Sequence, residues 1–296
     1  MSNPLYHQLL RRLAPAFPDP RECRQVAGLV LEDVLGCSGA TLYIREDSEI
    51  SLSERERLAE ITERLLQDEP VQYVLGKTVF CGHTFRTGPG ALIPRPETED
   101  LVQTALETAR RLKATSPEKS LLLIDAGTGS GCIAHTMALA LPEARTEAFD
   151  YSSQALAVAQ ENKVLLKSSA RLHLLDMLRL SAPDVPLPDF LIPQPHETAL
   201  WISNPPYIHP QEAQTMERRV LAYEPAQALF APEDEPTFFY KAIAQGASRS
   251  GARAVCCEIN PLYADPIAQI FRTIGYSDTR ITPDRYGKAR ILTATT

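Results

Sequence analysis

Two short stretches of this chain carry residue types that could do chemistry. The first is "SNPPYI" at 203–208, which closes an apolar run, "LWIS". Proline cannot donate to a sheet ladder, so the pair Pro205–Pro206 ends the strand and leaves Asn204 at its carboxyl edge. Asn204 brings a side-chain carbonyl and Pro205 a backbone carbonyl beside it. Two fixed acceptors can take both N–H groups of a planar –NH2 whose lone pair is delocalised. They hold its orientation and favour charge developing on its nitrogen. The prolines stiffen the turn, and Tyr207 offers a flat face to a planar group. A plainer reading is that the prolines only end the strand, with Asn204 bonded to its own backbone.

The second stretch is "LLLIDAGTGSGCIA", in which Asp125 ends an apolar strand and Gly127, Thr128, Gly129 and Gly131 form the turn opening a helix. Glycines allow a tight turn and a close ligand approach. The spacing is GxGxG, less suited to a pyrophosphate and common in proteins that bind S-adenosylmethionine (SAM). The ligand's carboxylate would meet exposed N–H groups at the helix start, and Asp125 would receive its ammonium. Asp150 ends the next strand, "RTEAFD", where a carboxylate can accept both ribose hydroxyls of a nucleoside. Asp176, ending "ARLHLLD", falls near the adenine on the same plan. As the alternative, either carboxylate caps a helix. Read together, the two stretches describe SAM-dependent methylation of an amino group.

The elements that must position these residues alternate strand and helix from "LLLIDAG" to "ARAVCCEI". That order demands a mostly parallel sheet with helices on both faces, an α/β Rossmann-like fold. Residues 94–296 form this domain. Residues 76–93, broken by glycines, read as a β-hairpin linker. Residues 1–75 read as a small helical bundle with no obvious chemistry. Its first clear helix has Asp19 as N-cap, Pro20 at the first helical position and Gly36 after the end. In "SERERLAEITERLLQ", Ser53 and Glu56 form a capping box ahead of the stripe Leu58, Ile61, Leu65 and Leu66. The proline-rich stretch 182–198 reads as a surface loop.

A formal charge of −7 and a pI near 5.5 argue against a protein that tracks phosphate backbones. No apolar run approaches the roughly 18 residues that span a bilayer, and the start lacks a signal-peptide core. The six cysteines form no CxxC, and with the six histidines they complete no zinc pattern. These observations point to a thiol-reduced, cytoplasmic chain with no structural metal. Cys256 and Cys257 read as a buried strand.

With these residues in view, the chain resembles the HemK/PrmC family, the protein-(glutamine-N5) methyltransferases that modify peptide chain release factors. The likeness rests on "LIPRPETEDLV", "DAGTGSGCIA", "SNPPYI", "YEPAQALFAPEDEPTFFYKAI" and "DRYGKAR". The NPPY signature is shared with adenine-N6 DNA and RNA methyltransferases; the RPETE segment and the helical N-terminus separate the two groups. The resemblance implies methyl transfer to the glutamine of a Gly-Gly-Gln tripeptide, with S-adenosylhomocysteine as by-product. It implies that the bundle helps hold the release factor, with neither a nucleic-acid substrate nor a membrane partner. Asn204, Pro205, Pro206 and Tyr207 would surround the carboxamide, and Arg95, Pro96, Thr98 and Glu99 would shield the site. For Arg95 and Glu99 a surface ion pair or a helix start at Pro96 is the simpler alternative. Two positions depart from the family pattern, Ala199 and Asn260, neither expected at the cofactor or amide contacts. Adenine-N6 methylation and a binding module without turnover are the competing readings.

Overall fold

The computed structural model describes residues 4–36 and 50–296. Cys37 and the part of the expected bundle at 37–49 lie outside the described residues, as do residues 1–3. By its internal contacts the chain divides into two units, one of Met1–Lys77 with Glu217–Tyr223 and one of Thr78–Met216 with Glu224–Thr296.

The first unit contains α1 (Pro4–Leu13), α2 (Pro20–Leu35), α3 (Leu52–Leu66) and the short α4 (Val71–Leu75). Each helix buries one stripe, and Leu9, Leu13, Phe17, Val30, Leu31 and Leu65 fill their common core. Asp19 caps α2 by accepting from the Arg21 N–H at 2.8 Å, and Gly36 closes it in the left-handed region. The box opening α3 is Ser51 with Glu54, two residues before the Ser53–Glu56 pair expected from the sequence. Both pairs have the S-x-x-E spacing, and starting at Ser51 adds residues to the helix at the cost of one exposed apolar side chain among them, Leu52. Thr62, rather than Leu66, completes the buried stripe. Residues 217–223 join this unit through Arg219, whose guanidinium lies 4.3 Å over the Phe17 ring and donates to the Ala16 carbonyl at 3.0 Å.

The second unit, from Thr78, opens with a hairpin, β1 (Lys77–Phe80, its first residue counted in the first unit) and β2 (His83–Arg86), and the long α5 (Pro96–Thr115). It continues through β3 (Ser120–Ala126), α6 (Cys132–Ala140), β4 (Arg145–Asp150), α7 (Ser153–Leu166), β5 (Arg171–Leu174) and β6 (Glu197–Ser203). The short helices α8 (Arg218–Tyr223, in the first unit) and α9 (Ala226–Leu229) precede α10 (Phe238–Arg249), β7 (Ala254–Glu258), α11 (Ala264–Ile274), β8 (Asp278–Pro283) and β9 (Ala289–Thr295). The sheet runs β5-β4-β3-β6-β7-β9-β8. The first five strands pair in parallel and the last two pairings are antiparallel, β9 running against all the others, so the mostly parallel sheet expected from the βα order gains antiparallel pairing at one side.

Both sheet faces are covered, which explains the near-continuous apolar runs. Leu122, Ile124, Trp201, Val255 and Cys257 pack on one face with Tyr240 of α10 and Phe271 of α11. Leu121, Leu123, Leu200, Ile202 and Cys256 pack on the other with Leu101 and Val102 of α5 and Met137 of α6. Adjacent Cys256 and Cys257 are therefore buried on opposite faces, as strand alternation requires. The 182–198 stretch is more than a surface loop, because Leu187 and Leu191 are buried in the main core. Its backbone is held by Arg249, which donates to the Ala182 carbonyl at 2.9 Å, and by Arg145, which donates to the Phe190 carbonyl at 3.1 Å.

Candidate active site

The strand order reverses direction at β3: the chain steps outward to β4 and β5, then returns to β6 on the other side. Beyond the carboxyl edge at such a switch point a crevice opens. Here it is a cavity of about 480 Å³, lined by Gly127, Thr128, Gly129, Asp150, Asp176 and Asn204 among others. That volume suits a nucleoside-sized ligand.

The glycine turn is built from the strand end outward. The N–H groups of Gly127 and Thr128 donate to the Phe149 carbonyl at 2.9 and 3.0 Å, and the Gly131 N–H donates to the Thr128 carbonyl at 2.9 Å. Asp125 sits behind this turn rather than in the cavity wall. Its Oδ2 accepts from the Thr128 hydroxyl at 2.6 Å and the Ala134 N–H at 3.1 Å. Its Oδ1 is buried and has no hydrogen-bond partner among the described residues. Burial, with the charge of Asp150 adding to it, pushes the Asp125 carboxyl up to about 7. Asp150 lines the cavity, accepting from the Gly129 N–H and the Ser152 N–H, each at 2.9 Å. Burial raises its pKa against those hydrogen bonds. The cap of α7 is Ser152, which accepts from the Ala155 N–H, so Asp150 is left to the turn and the cavity. Asp176 does both things considered for it: it lines the cavity and caps a 3-10 turn through the Leu178 N–H at 2.9 Å.

Across the cavity stands the end of β6. The Ser203 hydroxyl donates to the Ala126 carbonyl at 2.6 Å, locking the two strand ends together. Asn204 lines the cavity, and its Nδ2 donates to the Thr98 hydroxyl oxygen at 3.1 Å. Pro206 also lines it, whereas Pro205 is buried behind. Tyr207 does not line the cavity. Its hydroxyl donates to Glu258 Oε1 at 2.8 Å, and the Arg290 guanidinium carbon lies 5.8 Å from its ring centroid. The ring thus backs the turn instead of facing the cavity. Asn260, expected to be remote, donates to the Tyr207 carbonyl at 3.1 Å and so supports the turn directly.

The RPETE segment forms a further wall. Pro96 occupies the first helical position of α5, its fixed φ suited to that place, and Arg95 and Thr98 line the cavity. Arg95 donates to Glu224 Oε1 at 2.5 Å, and the Ile93 N–H donates to Glu224 Oε2 at 3.1 Å. Since the Glu224 side chain is only 1% exposed, this pair is not the surface bridge considered from the sequence. Glu99 stands apart from the cavity, accepting from the Cys81 N–H at 2.8 Å and from Arg285 at 3.1 Å. Gly131 is not in the wall either, because its α-carbon faces the His135 ring.

Glu224 and Glu258 were not singled out by sequence reasoning. Glu224 lay in plain sight in "YEPAQ", but nothing local shows a carboxylate closing onto an arginine 129 positions earlier. Glu258 ends an apolar strand just as Asp125 and Asp150 do, and that shared signal could have found it.

Comparison with known proteins bears on this geometry. Residues 5–76 match the family model described as the PrmC N-terminal domain. A release factor glutamine methyltransferase from Bacteroides thetaiotaomicron is 36% identical, covering 93% of this chain and 93% of its own. The enzyme of that name from Chlorobaculum tepidum is 36% identical over 94% of this chain and 92% of its own. Among solved structures, magnesium protoporphyrin IX methyltransferase from Synechocystis PCC 6803 covers 70% of this chain and 86% of its own, at 20% identity and a TM-score of 0.40.

Proposed function

The chain belongs to the family of release factor glutamine methyltransferases, and from that premise we propose that it methylates the side-chain amide nitrogen of the glutamine in a release factor's Gly-Gly-Gln motif. The methyl donor is S-adenosylmethionine, which when bound supplies an electrophilic methyl group on sulfur. The residues present fit it. Gly129 has no atom within 4 Å of where a Cβ would stand, leaving space for a ligand against the backbone. The amides of the turn at 127, 128, 129 and 131 already bond within the protein, as do those of Ala134 and His135, so Cys132 and Ile133, which line the cavity at the start of α6, would offer the N–H groups for its carboxylate. The unpartnered Oδ1 of Asp125 is the acceptor that an ammonium group would satisfy. Asp150 would take the ribose hydroxyls, and Asp176 would lie by the adenine.

Asn204 in the cavity wall, across from the glycine turn, is the observation that carries the reading. A carboxamide nitrogen is a poor nucleophile because its lone pair is shared with the carbonyl. Asn204 Oδ1 and the Pro205 carbonyl would accept its two N–H groups, aim the lone pair at the methyl and stabilise positive charge as the C–N bond forms and the methyl–sulfur bond breaks, with S-adenosylhomocysteine as the leaving group and one N–H proton lost from the methylated amide. The double proline keeps both acceptors in place before substrate arrives. Pro206 lines the substrate side. Tyr207 acts by bracing the turn, and Arg95 by fixing the wall through Glu224, with Glu99 anchoring the start of α5. The helical unit, residues 1–75 in the sequence-based division, serves as the docking module for the release factor.

The test is incubation with methyl-labelled SAM and a release factor, followed by peptide mass spectrometry. One added methyl on the Gly-Gly-Gln glutamine is expected. Label appearing on nucleic acid, or on none of the release factors supplied, would overturn the reading.

A further inference from the structure

We propose that Glu258 is a positioning residue for the reaction, acting through Thr98 to fix which end of the Asn204 amide faces the cavity. The inference rests on the reading of Asn204 as the acceptor of the substrate's N–H.

The two ends of an asparagine amide are nearly the same size, so packing alone does little to choose between them. For the reaction the choice is decisive. With Oδ1 inward the side chain accepts from the substrate –NH2; with Nδ2 inward, donor meets donor and the contact is repulsive. Thr98 is the side chain against which Asn204 is set, at 3.1 Å, but a hydroxyl can donate or accept and by itself selects neither end.

Glu258 removes that ambiguity. Its Oε2 lies 2.8 Å from the Thr98 hydroxyl. An ionised carboxylate has no proton to give, so the single hydroxyl proton of Thr98 must go to Glu258. The Thr98 oxygen can then only accept, and Asn204 must turn Nδ2 toward it. Oδ1 is left for the cavity. The other carboxylate oxygen takes the Tyr207 hydroxyl at 2.8 Å, so one carboxylate polarises both ends of the turn from Asn204 to Tyr207.

The sheet places this carboxylate where it is needed. The β6–β7 register ends on the pair Ser203 and Cys257, and Asn204 and Glu258 are each the next residue. The Glu258 carbonyl accepts from the buried Tyr240 hydroxyl at 2.9 Å, which fixes its backbone. Glu258 is 1% exposed and its burial raises its pKa, opposed by Arg290 and by the hydroxyls of Tyr207 and Thr98 and reinforced by Glu97. The two hydroxyl donors and Arg290 favour the carboxylate form, on which the orientation of the Thr98 hydroxyl depends.

The experiment measures kcat on a release factor and the Kd for S-adenosylmethionine in E258Q, T98V, T98S and the double variant E258Q/T98V. Both single losses of the proton path, E258Q and T98V, should lower kcat by about 10–100-fold while the Kd stays within about twofold. Retaining the hydroxyl in T98S should keep kcat within about threefold of wild type, a difference that mere packing would not produce. Because the two residues act in one series, the double variant should lose no more than the worse single. Unchanged turnover in both E258Q and T98V, or losses that multiply in the double variant, would overturn the inference. If E258Q does not fold, T98V against T98S decides alone. Asn204→Ala separates the two levels: turnover kept in that variant sinks the reading of Asn204 itself, whereas turnover lost there but kept in E258Q and T98V sinks only the role of Glu258.

Discussion

Replacing Gly129 and Gly131 each by alanine applies one chemical change at two neighbouring places with different neighbours. Both glycines are left-handed, at φ +56° and +79°. An L-residue there costs roughly 1–2 kcal/mol, equally at both sites. The added methyl then distinguishes them. At Gly131 it would stand 2.5 Å from His135 Nε2 and 3.2 Å from the Ala159 Cβ. His135 cannot step aside, since its ring is buried and bonded to Ser168 Oγ and the Ala159 carbonyl, each at 2.9 Å. Overpacking there adds about 1–3 kcal/mol, for a total near 2–5 kcal/mol. At Gly129 the methyl meets no protein atom within 4 Å and points into the space proposed for the donor. Gly129→Ala should therefore melt about 2–8 °C below wild type in the ligand-free state, and Gly131→Ala distinctly lower. Calorimetric titration with SAM should give a Kd at least about tenfold weaker for Gly129→Ala, equivalent to about 1.4 kcal/mol of lost contact. Differential scanning calorimetry with and without SAM reads both effects, since ligand stabilisation shrinks as affinity falls. Donor binding by Gly129→Ala within twofold of wild type would refute the placement of the ligand. Equal melting temperatures for the two variants would refute the packing argument at Gly131.

Three further outcomes follow from the site. Asn204→Ala should reduce turnover by about 10²–10³ with little change in SAM affinity, because it removes one acceptor of a developing charge; steady-state methylation together with titration calorimetry checks both halves. Arg95→Ala leaves the buried Glu224 carboxylate with its Ile93 N–H bond alone, so urea unfolding should show a loss of about 1–3 kcal/mol. Asp125, pushed up to about 7 by burial, binds its proton more tightly folded than unfolded, where it titrates near 3.8. Its contribution to stability therefore falls as pH rises from about 4 to about 7. In Asp125→Asn, ligand-free stability measured across that range should fall less, or rise more, with pH than in wild type, and an unchanged slope would contradict the assignment.

Local physics explains which parts of this protein could be read from its residues. The strand "RTEAFD" and the helix "SQALAVAQENKVLL" have the bounds expected, since apolar runs and capping residues mark them within a few positions. Asp19 and Gly36 signal their helix ends in the same way. The start of α3 was misplaced because Ser51–Glu54 and Ser53–Glu56 present the same spacing, and only packing selects one. The strands β8 and β9 went unread, as their antiparallel pairings, β9 on β7 and β8 on β9, depend on neighbouring strands rather than on their own pattern. Tyr207 was expected to face the substrate because aromatic rings suit planar groups, yet a carboxylate from another strand claims its hydroxyl.

What the sequence by itself determined is the chemistry available: a glycine turn after Asp125, a carboxylate at Asp150, and two stiff carbonyl acceptors beginning at Asn204. These follow from covalent properties of neighbouring residues, such as the φ freedom of glycine and the missing N–H of proline, which hold wherever the segment lies. Tertiary structure alone decided how those parts are divided between lining and support. It set Gly129 in the cavity wall and Gly131 against a histidine, closed Arg95 onto Glu224, and brought Thr98 and Glu258, 160 positions apart, to 2.8 Å. Such pairings arise from strand register and helix packing, which sum contacts over the whole sheet and are written in no single stretch of chain.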